Sequence, residues 1–179
     1  MAMSRDRHKS AVRPLDGEGL ERLALFYAGR YAVTRAKLRQ YLLRKLRERS
    51  WAGESEPPVE RLVERFAQLG YVDDGAFAAA RADALTRRGY GLRRVDQALR
   101  AAGIEEADGA EARDAAAAEA WHAALRFAER RRIGPYAEVA PERPGREKAL
   151  GAMLRAGHPL EIARRIVNAS PGEVPDVEE

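Results

Sequence analysis

The sequence predicts an all-α protein of tandem three-helix repeats, each resembling a helix-turn-helix unit, in an elongated, curved modular array. Apolar residues recur at spacings of three and four along most periodic segments, which is the pattern of one buried helix face. Glycines end these segments, and similar helix–turn–helix sequences return after about 60–70 residues, which indicates repeated units. Because many apolar residues are alanine, we expect thin helical layers around small cores.

The first repeat is expected over residues 17–53 as a truncated copy, after a disordered basic arm over residues 1–16. Its first helix covers about residues 20–28, where leucine, alanine and tyrosine recur with helical spacing. Thr34 is suited to cap a second helix that ends near Arg49.

Positive charge is concentrated in this part of the chain. Residues 1–53 contain 13 Lys and Arg against 5 Asp and Glu, whereas both remaining thirds are slightly acidic. Basic residues cover most of the second helix outside its core side, with only Glu48 opposing them. An ordinary solvated helix mixes signs to form pairs, so unpaired positive charge favours an anionic partner, although solvated surface or GC-rich codon usage also explains it. The candidate binding residues here are Arg30, Arg35, Lys37, Arg39, Arg44, Lys45, Arg47 and Arg49.

The second repeat is expected over residues 54–104, after a polar linker that ends in two prolines. An apolar stripe from Val59 to Leu69 predicts its first helix. The second helix covers residues 74–88, and the third covers about residues 92–102. The predicted inner face of the second helix consists of Phe77, Ala80, Ala84 and Leu85.

Glycine and arginine define the turns of this repeat. Gly70, Gly89 and Gly103 each follow a predicted helix and precede an apolar residue, as in a left-handed C-terminal cap. Two arginines then begin the third helix, which is the unfavourable end of the helix dipole for a cation. This conflict indicates a role other than helix stability. The second set of candidate binding residues is Arg87, Arg88, Arg93 and Arg94.

The third repeat is expected over residues 105–170, with a proline-rich insert at 133–145 that cannot form one continuous helix. Residues 171–179 are expected to form an acidic disordered tail. The other expected segments are a connector over 105–110 and helices over 111–132, 146–156 and 160–167.

Catalytic and metal-binding patterns are absent from the sequence. It contains no cysteine and no GK[ST] phosphate-binding loop, and its three histidines, His8, His122 and His158, have no ligand or triad spacing. We interpret these histidines as surface or turn residues, and Asp73-Asp74 as a helix cap rather than a metal pair. We therefore predict no enzyme activity, no metal and no cofactor.

The sequence shows no signal peptide and no apolar run near 18 residues, which predicts a cytoplasmic protein without a membrane partner. We expect a monomer. Tyr71 and Tyr90 have the ring chemistry to stack on bases, but packing against their helix ends is the preferred interpretation.

Residues 69–104 resemble the central repeat of the RecX family, the regulatory proteins of the bacterial RecA recombinase. The resemblance rests on GYVDDGAFA and RRGYGLRRVDQAL, and it is weaker in RYAVTRAKLRQYLLRKL and REKALGAMLRAGHPLEIARRIV. It spans about residues 20–169. The chain departs from the family in the insert at 133–145 and at Gly157-His158-Pro159, where the family has Gly-Phe and a polar residue.

The resemblance implies a tandem three-helix-repeat fold and binding in the groove of the RecA–DNA filament. It implies inhibition of filament extension, ATP hydrolysis, strand exchange and coprotease activity, and thereby control of homologous recombination, DNA repair and the SOS response. The expected partners are RecA, the RecA–DNA filament and, weakly, single- or double-stranded DNA.

Two other functions remain open from the sequence. The turns near residues 29–34 and 89–92 have spacing compatible with a helix-turn-helix DNA-binding regulator that acts without RecA. A scaffold that binds an acidic protein and no nucleic acid would also use a basic surface.

Overall fold

The fold is described by a computed structural model over residues 13–176, and the secondary structure in that range is helical apart from one isolated bridge between Leu15 and Trp51. The prediction of an all-α fold is confirmed. The described helices are α1 Gly17–Arg30, α2 Arg35–Arg49, α3 Val59–Gln68, α4 Asp74–Arg87, α5 Leu92–Ala101, α6 Glu106–Ala118, α7 Ala120–Arg131, α8 Arg143–Arg155 and α9 Leu160–Asn168, with a 3₁₀ turn at Gly134–Tyr136.

The chain divides into two compact units, the first ending at Asp73 and the second beginning at Asp74. This boundary lies inside the predicted second repeat, 54–104. It separates α3, which packs on α2, from α4, which packs on α5 and α6. The residues that resemble the central repeat are therefore divided between the two units.

The first unit packs α1, α2 and α3 around one apolar core. Leu20, Leu38 and Leu42 are fully buried in it. The predicted cap of α2 is confirmed, since the Thr34 hydroxyl accepts the Lys37 amide at 3.1 Å. Leu15 is also buried, so ordered structure begins before residue 16, and residues 1–12 of the predicted arm lie outside the described residues.

The second unit contains two apolar clusters. Val95 and Leu99 of α5 pack with alanines of α4 and α6 in one cluster, while Met153 and Ile166 lie in the other, between α7, α8 and α9. The described part of the predicted tail packs back on this unit, because the Gly172 amide donates to the Pro135 carbonyl at 2.8 Å. Residues 177–179 lie outside the described residues.

The predicted glycine stops have the expected backbone geometry. Gly70, Gly89 and Gly103 have φ of 72–74°, in the left-handed region that glycine adopts without a Cβ clash. The amide after each glycine donates to the carbonyl five residues earlier at 2.9–3.1 Å, which closes the helix end. Arg132 ends α7 in the same way with φ of 53°, where no glycine signals the stop.

Alanine-rich segments are where the helix predictions were wrong. Leu85 is buried and the half-buried Phe77 packs against the same cluster, as predicted, but Ala78 and Ala82 are also buried, whereas the predicted inner residue Ala80 is exposed. Because α4 has apolar residues on nearly every face, its periodicity cannot identify the inner one. The predicted single helix 111–132 is divided at Glu119, and α6 includes most of the predicted connector 105–110.

Two other boundary predictions also differ from the structure. Leu69 is exposed rather than part of the buried stripe, because α3 ends at Gln68 and Leu69 forms the turn before Gly70. The α8 helix begins at Arg143, three residues before its predicted start, with a proline in its first turn, where the missing amide costs no helical hydrogen bond.

Candidate functional site

The basic face of α2 consists of Arg35, Lys37, Arg39, Arg44, Lys45, Arg47 and Arg49, which this one helix carries. Leu38 and Leu42 are buried in the core of the first unit, and the basic residues are spread over most of the remaining surface of α2. The structure thereby places seven of the predicted binding residues on one element. The eighth, Arg30, is the last residue of α1.

Several of these cations are paired, which corrects the prediction of an unpaired basic face. Arg39 Nε lies 2.7 and 2.8 Å from the two carboxylate oxygens of Glu60 on α3, and this hydrogen bond holds the pKa of Glu60 below its usual range. The prediction of unpaired charge rested on Glu48 being the one acid within α2. The pairing with Glu60 depends on how α3 packs, which the sequence does not reveal.

Glu48 compensates two further cations. Its carboxylate lies 2.7 Å from Lys45 Nζ and 3.6 Å from Arg44 Nε, and the hydrogen bond from Lys45 is the main cause of its lowered pKa. Among the described residues, Arg47 is exposed and makes no ion pair, while Arg49 donates to the Arg13 carbonyl at 3.2 Å. Arg47 is thus the member of the face with the most accessible charge.

The second candidate region forms where two turns of the second unit meet. The Gly91 amide donates to the Ala156 carbonyl at 3.0 Å, and the Arg93 amide donates to the Gly157 carbonyl at 3.3 Å. A Cβ at Gly91 would lie 2.3 Å from the Gly157 oxygen. The backbones approach so closely that residue 91 must lack a side chain.

His158 fastens the same two turns, and it lies in a turn as predicted but is buried there rather than on the surface. Its ring is fully buried, with Nε2 3.1 Å from the Gly89 carbonyl. Because a carbonyl can only accept, Nε2 carries the proton, and Nδ1 is buried without a hydrogen-bond partner. Burial lowers the pKa of His158 to about 4, so the imidazole is neutral at physiological pH.

This contact creates an arginine cleft of about 410 Å³, lined by Arg93, Arg94, Arg100 and Arg155. Arg94 donates to Gln97 at 2.6 Å, whereas Arg93 and Arg155 make no ion pair with the described residues. Asp96 at the cleft wall is held by Arg100 at 2.8 Å and by Arg113 at 2.9 Å. The cleft therefore has a clear excess of positive charge.

The sequence analysis missed Arg100 and Arg155 as members of this cleft. Arg155 lies far from Arg93 along the chain, and only the contact between the two turns brings them to one surface. Of the four arginines predicted around Gly89, Arg93 and Arg94 line the cleft and the other two do not. Arg87 pairs with Asp83 at 2.6 Å, and Arg88 lies 5.8 Å from the Tyr90 ring centre.

The described residues contain no group of three or more acidic or histidine side chains arranged to hold a metal ion. In the same range, no helix is both long enough and apolar enough to cross a membrane. The basic face of α2 and the arginine cleft have the chemistry to bind anions.

Comparison with known proteins identifies the family. No family model matches the chain. It is 31% identical over 180 residues to the regulatory protein RecX of Myxococcus xanthus (strain DK1622), with 93% of this chain and 94% of that protein covered. It is 28% identical to the regulatory protein RecX of Agrobacterium fabrum (strain C58 / ATCC 33970), with 86% and 84% covered.

Solved structures share the fold. The crystal structure of RecX from Lactobacillus salivarius has a TM-score of 0.61 at 18% identity, covering 84% of this chain and 93% of that one. A second crystal structure of a regulatory protein RecX has a TM-score of 0.58 at 22% identity, covering 84% and 72%. By its sequence identity to the Myxococcus protein over nearly its whole length, the chain belongs to the RecX family of regulatory proteins.

Proposed function

We propose that this protein binds RecA–DNA filaments and inhibits their extension, and with it ATP hydrolysis, strand exchange and coprotease activity. In this role it is a non-enzymatic regulator of recombination and the SOS response. The observation that carries the proposal is the pair of cationic surfaces, the basic face of α2 and the arginine cleft, in a member of the RecX family.

Electrostatics supports a filament that contains DNA as the partner. Phosphates along a DNA strand form a regular row of negative charge, and each Lys or Arg that neutralises one releases counterions. Arg47, Arg93 and Arg155 have no ion pair with the described residues, so binding a phosphate breaks no salt bridge at these positions. We therefore expect affinity for the filament to fall steeply as salt rises.

Co-sedimentation tests the proposal directly. The protein is expected to pellet with preformed RecA filaments on single-stranded DNA and to remain in the supernatant with RecA alone. In parallel, substoichiometric protein should lower ATP hydrolysis by these filaments. The proposal fails if equimolar protein neither pellets with the filaments nor changes their rate of ATP hydrolysis.

One observation favours a second function, direct DNA binding by a helix-turn-helix-like unit. The exposed side of α5 carries Arg93, Arg94, Gln97 and Arg100 at positions expected of a helix that reads a DNA groove. Tight, sequence-selective binding to duplex DNA without RecA would favour this function over the first. If the protein instead binds an acidic protein and shows no salt-dependent affinity for DNA, the third function, a scaffold for an acidic protein, would be favoured.

A further inference from the structure

An aromatic row crosses the first unit from α1 to α2, and part of it lies open to solvent. It consists of Phe26, Tyr27, Tyr31 and Tyr41. Tyr27 and Tyr41 stack with ring centres 4.1 Å apart and planes inclined by only 4°, and the Tyr31 ring centre lies 5.7 Å from that of Tyr27. Phe26 is 59% exposed and Tyr31 is 54% exposed.

Cations lie against both ends of this row. The Arg30 guanidinium carbon is 5.8 Å from the Phe26 ring centre and 5.9 Å from the Tyr31 ring centre. At the other end, the charged groups of Arg44 and Lys45 lie 5.5 and 5.8 Å from the Tyr41 ring centre. The three tyrosine rings thus follow one another, and cations lie against the rings at both ends of the row.

The contacts of Phe26 and Tyr31 with their neighbours leave more than half of each side chain exposed. Single exposed apolar residues are common, but here Phe26 and Tyr31 are brought together by Arg30, four residues after Phe26 on the same side of α1. Arg30 makes no ion pair with the described residues. Two open rings with an uncompensated cation between them form a surface suited to a ligand that is both planar and anionic.

We propose that Phe26 and Tyr31, the open rings of the aromatic row, bind unpaired nucleobases of a single-stranded nucleic acid by stacking, while Arg30 and the α2 cations neutralise the phosphates. Proteins bind single strands with aromatic rings and nearby cations, because every base offers a flat face for stacking and every nucleotide carries one negative charge. A duplex offers few free base faces, so the row selects single strands. The proposal gives the first unit its own contact with DNA and does not require RecA.

A protein partner is the competing occupant of this surface. Tyrosine and arginine are also enriched where proteins bind one another. The net positive charge of the row favours nucleic acid. Glu48 pairs with Arg44 and Lys45 at the far end of the row, and these two cations share its single carboxylate. An exposed positive end calls for an anionic ligand.

The test compares two strands of equal charge, without RecA. Fluorescence anisotropy would measure binding to a labelled oligothymidylate and to a deoxyribose-phosphate strand of the same length without bases. Wild-type protein is expected to bind the strand with bases at least about fivefold more tightly, since one stacked base contributes about 1 kcal/mol or more. Equal affinity for the two strands would overturn the proposal.

Substitutions in the row assign the effect to its rings. The double variant Phe26→Leu with Tyr31→Leu keeps apolar side chains but removes the flat faces, so it should bind both strands with the affinity that wild type shows for the strand without bases. Arg47→Gln is the matched charge variant, which should weaken binding to both strands by the same factor. Circular dichroism would verify that each variant is folded.

A tryptophan at the open end supplies a second readout. Phe26→Trp should retain affinity for oligothymidylate, and base stacking should quench its added fluorescence, whereas the strand without bases should leave it unquenched. If the leucine variant instead loses binding to RecA filaments while its affinity for free oligothymidylate is unchanged, the row docks protein and the proposal is wrong. If the wild-type protein binds oligothymidylate as expected but does not bind RecA filaments, that result would count only against the proposed function.

Discussion

His158 shows how one residue links parts of the second unit that are distant in the chain. It is 69 residues from Gly89, yet its Nε2–H donates to the carbonyl of that residue. Its ring also lies 5.5 Å from the Phe127 ring centre. The glycine stop before His158 could be predicted from the local sequence, but its burial could not, because burial depends on a turn in another repeat.

The buried imidazole should make stability depend on pH. In the unfolded chain a histidine binds a proton near pH 6.5, whereas folded His158 does so only near its pKa of about 4. Between these values the unfolded state holds more protons, so the free energy of unfolding falls as pH decreases from about 6.5 towards 4. The full loss is about 3 kcal/mol, and above this window His158 makes stability neither rise nor fall with pH.

The variant His158→Phe keeps a flat ring and removes the titrating group. Urea unfolding at a series of pH values should show a smaller loss of stability on acidification than in wild type. His122→Gln, at an exposed position on α7, serves as the control and should follow the wild-type curve. Parallel curves for wild type and His158→Phe would show that the buried imidazole does not titrate in this range.

At the scale of the element, helix periodicity was informative where large and small residues alternate. The buried residues Leu38 and Leu42 of α2 were predicted from their spacing, and its Thr34 cap from residue type. In α4 the spacing correctly placed Leu85 inward but wrongly placed Ala80 there, because alanine on every side removes the contrast. The pairing of charges on α2 also could not be predicted from the sequence, because Glu60, the partner of Arg39, lies on a separate helix.

Because Arg39 is paired with Glu60, a substitution of Arg47, which is unpaired among the described residues, tests the basic face of α2 without breaking a salt bridge. Arg47→Gln should weaken filament binding and reduce the slope of log affinity against log salt by about 0.7 to 0.9 if Arg47 contacts one phosphate. Arg61→Gln makes the same charge change on α3, where the side chain is also exposed, and should leave both quantities close to wild type.

Arg39→Gln should behave differently from Arg47→Gln. It removes the bridge to Glu60 between α2 and α3, whose exposed position limits the cost in stability to about 1 kcal/mol or less. Denaturant unfolding therefore distinguishes the loss of stability expected for Arg39→Gln from the loss of filament binding expected for Arg47→Gln. An Arg47→Gln protein with unchanged affinity and salt slope would exclude this residue from the contact.

At the scale of the whole molecule, the sequence predicted the helical class and the family but not the grouping of helices. The predicted second repeat spans the boundary at Asp73 and Asp74. Which helices pack together depends on their apolar surfaces, and these are similar across helices built from alanine, leucine and valine. The two cationic surfaces consequently belong to different units, with the α2 face in the first and the arginine cleft in the second.

Two separate cationic surfaces predict that both units contribute to filament binding. The double variant Arg93→Gln with Arg155→Gln should weaken binding, and combining it with Arg47→Gln should weaken binding further, by at least the product of the two factors. Co-sedimentation at several salt concentrations would measure each affinity. If the combined variant binds no more weakly than either parent, only one unit contacts the filament.

The close approach of Gly91 and Gly157 has a consequence for how this protein can diversify. The two turns meet through backbone atoms, so their contact depends on the absence of a side chain at Gly91 and Gly157 rather than on any particular side chain. Arginines around the cleft can be exchanged without moving its walls. The ligand preference of the cleft can therefore drift through substitutions at its rim, while even a single methyl group at residue 91 would force the two turns apart.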